Sequence, residues 1–123
     1  KQKLPKEGLT SFHQPANHDI TIVAIHGFGG HWESTWTHKS GNLWLKDNLP
    51  STDEFRNARI YSFGYDANVV GSHSVATIRQ IANNLNQTLI DLQDTKPLIF
   101  VCHSLGGIIA KSVRIMYSLV CVK

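Results

Sequence analysis

The chain has 123 residues, 41% of them hydrophobic and 17% charged, which is enough apolar material for one core and too little chain for two. The 12 basic residues behind its net charge of +3 are scattered, with no Lys/Arg run and no interleaved aromatic stripe, so the excess reads as solvated surface and argues against nucleic-acid binding. No apolar run approaches the roughly 18 residues that span a bilayer, and Lys1-Gln2-Lys3-Leu4-Pro5 lacks the apolar segment of a signal peptide.

The only methionine is Met116, so residues 1–123 are expected to be one incomplete domain from a longer polypeptide. Cys102 and Cys121 fall in apolar stretches that resemble a strand end and a helix end. Small buried thiols suit them better than a disulfide framework, which favours intracellular residence.

Leu9 to His13 is expected to form a short first strand, joined by the polar residues 14–19 to Ile20-Thr21-Ile22-Val23-Ala24-Ile25. That nearly unbroken β-branched run is the pattern of a strand covered on both faces, central in a parallel sheet. Gly27, Gly29 and Gly30 end it. A Trp-rich stretch through Trp32 and Trp36 leads to a short helix over Asn42 to Asn48, stopped by Pro50, and Arg59 to Phe63 reads as the next strand. From Ser74 onward Val75, Ile78, Ala82, Leu85, Leu89 and Leu92 recur at steps of three and four, which lines one face of a helix of about five turns. Pro97 opens Leu98-Ile99-Phe100-Val101-Cys102, and Ser104-Leu105-Gly106-Gly107 turns into a helix carrying Ile108, Ile109, Val113, Met116 and Tyr117. Such alternation implies an α/β domain of parallel βαβ units, whose ligands gather beyond the carboxyl ends of the strands. Both glycine-bearing turns fall at that edge.

A serine between a buried strand and a helix can be held on a sharp turn that exposes its hydroxyl, provided the residues two before and two after are small. Around Ser104 these are Cys102 and Gly106, so the first position departs mildly from Gly-x-Ser-x-Gly. At a helix start the Leu105 amide can donate to an anion forming on a substrate. A second donor is expected from the loop after the Ile20 strand, His26-Gly27-Phe28-Gly29-Gly30, with Phe28 supplying the amide. Glycine-rich turns also cradle nucleotides and serine often caps helices. The dinucleotide pattern fails, however, because Trp32 stands where its third glycine belongs, and no Gly-Lys-Ser/Thr phosphate loop is present.

These residues carry a resemblance. With Ile25-His26-Gly27-Phe28-Gly29-Gly30, Trp44-Leu45 and Leu49-Pro50, Arg59 to Tyr65, and Cys102-His103-Ser104-Leu105-Gly106-Gly107, the stretch Ile20 to Tyr117 resembles the lipase-like serine hydrolase domain at the front of many fungal multidomain proteins, often ahead of an NTPase module and repeats. It is also similar to lipid-acting esterases related to inositol deacylases. The resemblance implies a partial α/β-hydrolase fold, a mostly parallel sheet in a three-layer αβα sandwich with its C-terminal strands and helices missing. It further implies hydrolysis of an ester or lipid-like substrate through an acyl-enzyme, without cofactor or metal, and further domains downstream. Ser104 would be the nucleophile, the Phe28 and Leu105 amides the oxyanion hole, and His26, Gly27, Gly29, Gly30, His103, Gly106 and Gly107 the supporting residues. The usual strand order puts the Ile20 strand between the Arg59 and Leu98 strands and leaves the latter with a bare edge, an invitation to aggregation.

In this fold an acid and then a histidine follow the serine, yet residues 105 to 123 contain no Asp, Glu or His. A serine without a base is a poor nucleophile, so the chain alone is expected to be nearly inactive. His31 and His73 are candidate substitutes. His26 is expected to fix its loop, His103 to point away from the serine, and His13, His18 and His38 to lie on the surface. The His pairs spaced five apart, off any helix and without a Cys-x-x-Cys, argue against a metal. The alternative function is a non-catalytic hydrolase-like binding or signalling module.

Overall fold

The computed structural model describes residues 7–66, 75–113 and 117–122. Five strands form one sheet: β1 (Gly8–His13), β2 (Ile20–Ile25), β3 (Ala58–Gly64), β4 (Leu98–His103) and β5 (Ser118–Val122). Their order is β1-β3-β2-β4-β5, with β1 antiparallel to β3 and the other pairings parallel. The Ile20 strand therefore lies between the two strands expected beside it. The class is α/β, as the alternation implies.

The even apolarity of β2 has the expected cause. Val23 and Ile25 enter one core, while Ile22 and Ala24 enter the other, on the opposite face. The first core is closed by α2 (Val75–Leu92) and α3 (Gly106–Lys111). Ile81, Ala82, Leu85 and Leu89 form the buried stripe of α2, and each large apolar side chain so buried stabilises by about 1.5–3 kcal/mol. Val75, expected on that stripe, is 69% exposed, so the helix packs from Ile78 onward. The second face is covered by α1 (Trp44–Asp47), two short 3-10 turns and the intervening loops, with Trp36, Leu43 and Leu45 buried. That outer layer contains one four-residue helix rather than the seven-residue segment expected over 42–48, because Pro50 sits inside a separate 3-10 turn.

The C-terminal expectations need correction. The helix after Ser104 ends at Lys111, and Tyr117 precedes a strand rather than extending that helix; Met116 lies outside the described residues. β5 then pairs in parallel with β4 from Ile99↔Ser118 to His103↔Val122, so the β4 edge is not bare. Cys121, expected at a helix end and buried, is in β5 and exposed.

His18 also departs from its expected surface position. Its Nε2 contacts both Asp94 carboxylate oxygens at 2.9 and 3.0 Å, with 12% and 10% exposure for the two side chains. The Thr21 hydroxyl and the Lys96 amide donate to the same carboxylate. This cluster ties the β1–β2 connection to the α2–β4 connection, at the amino ends of β2 and β4.

Candidate functional site

The chain runs from β2 to β3 on one side of the sheet, then crosses back to β4 and β5 on the other. β2 and β4 are thus neighbours across which the winding reverses, the place where open α/β sheets form a ligand crevice at the carboxyl ends. Ile25 and Cys102 pair in register at that end. The residues that follow, His26-Gly27 and His103-Ser104, consequently emerge side by side, so residues far apart in sequence meet.

Ser104 is exposed and has φ 55°, a left-handed conformation that costs a non-glycine residue roughly 1–2 kcal/mol. Its carbonyl accepts from the Gly107 amide at 3.1 Å, and Leu105 is already helical. Among the described residues the Leu105 amide has no backbone acceptor. Since α3 contains only six residues, this individual amide matters more than any dipole summed along the helix. Gly106 is required by close approach: a Cβ there would stand 2.2 Å from the Ile25 carbonyl oxygen and 2.9 Å from that of His26. Cys102 occupies the position two before the serine, almost wholly buried, and burial pushes its thiol up to about 12.

The facing loop is a tight turn. The Gly30 amide donates to the Gly27 carbonyl at 3.0 Å and Gly29 has φ 74°, as a type II turn demands at its third residue. Phe28 is the second residue of that turn and is 44% exposed. A Cβ on Gly27 would stand 2.8 Å from Ser104 Cβ, and one on Gly30 would stand 2.8 Å from Thr35 Oγ1. Glycine lets the loop close onto the serine turn on one side and its own continuation on the other.

His26 is fully buried. Its Nδ1 lies 3.0 Å from the Gly27 carbonyl and so donates, which leaves Nε2 to accept from the Tyr65 amide at 3.4 Å. Burial holds its pKa below the ordinary 6.5. The ring stacks on Tyr65 with centroids 4.1 Å apart, and the Tyr65 hydroxyl donates to the His26 carbonyl at 2.6 Å. Both ring nitrogens of His26 are therefore engaged, one within its own loop and one with Tyr65. His31 Nδ1 accepts from the amides of Glu33 and Ser34, so that nitrogen is committed to its own turn. His73 lies outside the described residues, and His103 is partly buried beside Gly27.

Tyr65 and Ser62 are the supporting residues that sequence reasoning gave no role. The buried Ser62 hydroxyl donates to the Trp32 carbonyl at 2.6 Å, so β3 and the residue after it hold the loop at both ends. Trp36 is buried in the second core. A separate cavity of about 470 Å³ between β3 and α2 is lined by Phe63, Tyr65, Asp66, Gln80 and Ile81 among others, but not by Ser104 or residues 26–31. Among the described residues no cluster of three or more His, Cys, Asp or Glu could hold a metal, and no helix is long and apolar enough to cross a membrane.

No protein-family model matches the chain, and no curated protein matches it in sequence.

Proposed function

We propose that this domain is the nucleophile-bearing part of an α/β-hydrolase and that the polypeptide containing it hydrolyses an ester or lipid-like acyl substrate. The observation that carries the reading is Ser104: an exposed serine in a left-handed strand-to-helix turn, with Gly27 of a glycine-rich loop packed against it. Strain of this kind is retained where surrounding structure enforces it, and it gathers at functional sites.

In this reading Ser104 Oγ attacks the acyl carbon while the Leu105 and Phe28 amides receive the negative charge forming on the carbonyl oxygen. The alcohol leaves with the serine proton, and water then releases the acid from the acyl-enzyme. Phe28, 44% exposed, offers apolar contact to an acyl chain. Because residues 105 to 123 contain no Asp, Glu or His, the base and its orienting acid are assigned to other parts of the polypeptide.

The test is turnover of p-nitrophenyl esters of increasing chain length by the whole polypeptide in which these residues lie. The expected result is hydrolysis that Ser104→Ala abolishes. Undiminished turnover in that variant overturns the proposal. A second reading is a non-catalytic binding module, for which the wild type would retain an acyl ligand without turning it over.

A further inference from the structure

We propose that Cys102 and Cys121 form a redox-modified pair, converted to a reversible intramolecular disulfide by a small-molecule disulfide such as oxidised glutathione. The inference rests on the sheet, not on any role for Ser104.

The two cysteines are register partners on adjacent parallel strands. Neighbouring strands lie about 4.8 Å apart, within the 4.4–6.8 Å range of Cα separations that a disulfide bridges. Both side chains project to the face covered by α3. A Cβ on Gly107 would lie 3.8 Å from Cys121 Sγ and 4.0 Å from Cys102 Cβ, so one helix residue roofs both. Both thiols are free, Cys102 buried and Cys121 exposed.

That asymmetry orders the chemistry. The Cys121 thiolate attacks one sulfur of oxidised glutathione, forming a mixed disulfide and releasing one glutathione. Cys102 then attacks Cys121 Sγ, its proton passing to the glutathione thiolate expelled outward. Two protein thiols are oxidised and one glutathione disulfide is reduced to two thiols. Burial raises the Cys102 pKa and makes it a slow reagent toward solvent, while its register partner on β5 stands on the adjacent strand.

The experiment treats the purified protein with oxidised glutathione, quenches with acid, alkylates, and maps the products by non-reducing peptide mass spectrometry. The wild type is expected to lose both alkylatable thiols and two hydrogens of mass, with a peptide link from Cys102 to Cys121 that dithiothreitol reverses. Cys121→Ser should leave Cys102 unmodified, and Cys102→Ala should trap glutathione on Cys121. Since Cys121 is exposed, its substitution leaves the fold intact. A wild type that keeps the glutathione adduct as Cys102→Ala does, links only between two molecules, or shows no thiol loss overturns the proposal.

Discussion

Gly27 and Ser104 are in contact across the end of the sheet: a Cβ added to Gly27 would stand 2.8 Å from Ser104 Cβ and 2.7 Å from the His103 carbonyl oxygen. Neither obstacle is the flexible end of a long side chain, so the turn itself must move. Gly27→Ala is expected to cost about 1–3 kcal/mol in urea denaturation. A displacement near 1 Å at the serine is expected to slow its reaction with a fluorophosphonate by about 10²-fold. Wild-type stability and labelling in this variant would show that the two loops do not bear on one another.

The two glycines of α3 should respond differently. At Gly106 a methyl group meets the Ile25 carbonyl oxygen at 2.2 Å, and Gly106→Ala is expected to lose more than about 3 kcal/mol, beyond the usual overpacking range. At Gly107 the nearest atom is 3.8 Å away, so Gly107→Ala is expected to be neutral or to gain up to about 1 kcal/mol of helix propensity. Thermal unfolding of the pair checks the contrast.

Gln93 and Ser104 are the described non-glycine residues with positive φ, 54° and 55°. Gln93 follows the last residue of α2, where glycine is the favoured terminator, and Gln93→Gly is expected to stabilise by roughly 1 kcal/mol while leaving fluorophosphonate labelling unchanged. Ser104→Gly is expected to gain a similar amount and to abolish labelling. A gain in stability with a loss of function at one position alone separates strain held for chemistry from strain at an ordinary helix end.

Two acid limbs of stability are expected. Burial depresses the His26 pKa below 6.5, so the unfolded chain binds a proton that the folded chain refuses. Stability should fall as pH drops below about 6.5, by at most about 1.4 kcal/mol per pH unit. At Asp94 burial opposes the charge, but hydrogen bonds from Thr21, the Lys96 amide and His18 outweigh it and bring the pKa below 3.8. Its contribution is complete above 3.8 and is lost as pH falls through the lower folded value. Urea midpoints between about pH 8 and pH 3 should show His26→Gln flattening the upper limb and Asp94→Asn the lower.

The core strands and the long helix were legible because β-branched runs and three-four spacing report burial directly. The Ser104 turn and the His26 loop were legible as separate motifs, and their meeting followed once β2 and β4 were neighbours. β5 was not legible: Tyr117-Ser118-Leu119-Val120-Cys121-Val122 continues the apolar spacing of Ile108 and Val113, and nothing in the sequence marks where α3 stops. The roles of Tyr65 and His18 were hidden for another reason. Each acts through a partner distant in the chain, 39 residues away for Tyr65 with His26 and 76 for His18 with Asp94, and no local pattern encodes such a pairing.

Peptide mapping of the fluorophosphonate adduct on the whole polypeptide tests the reactivity of the residue 104 hydroxyl most directly. A single adduct on Ser104, absent from Ser104→Ala, is the predicted result. An adduct confined to another serine, or equal labelling of the variant, would contradict it.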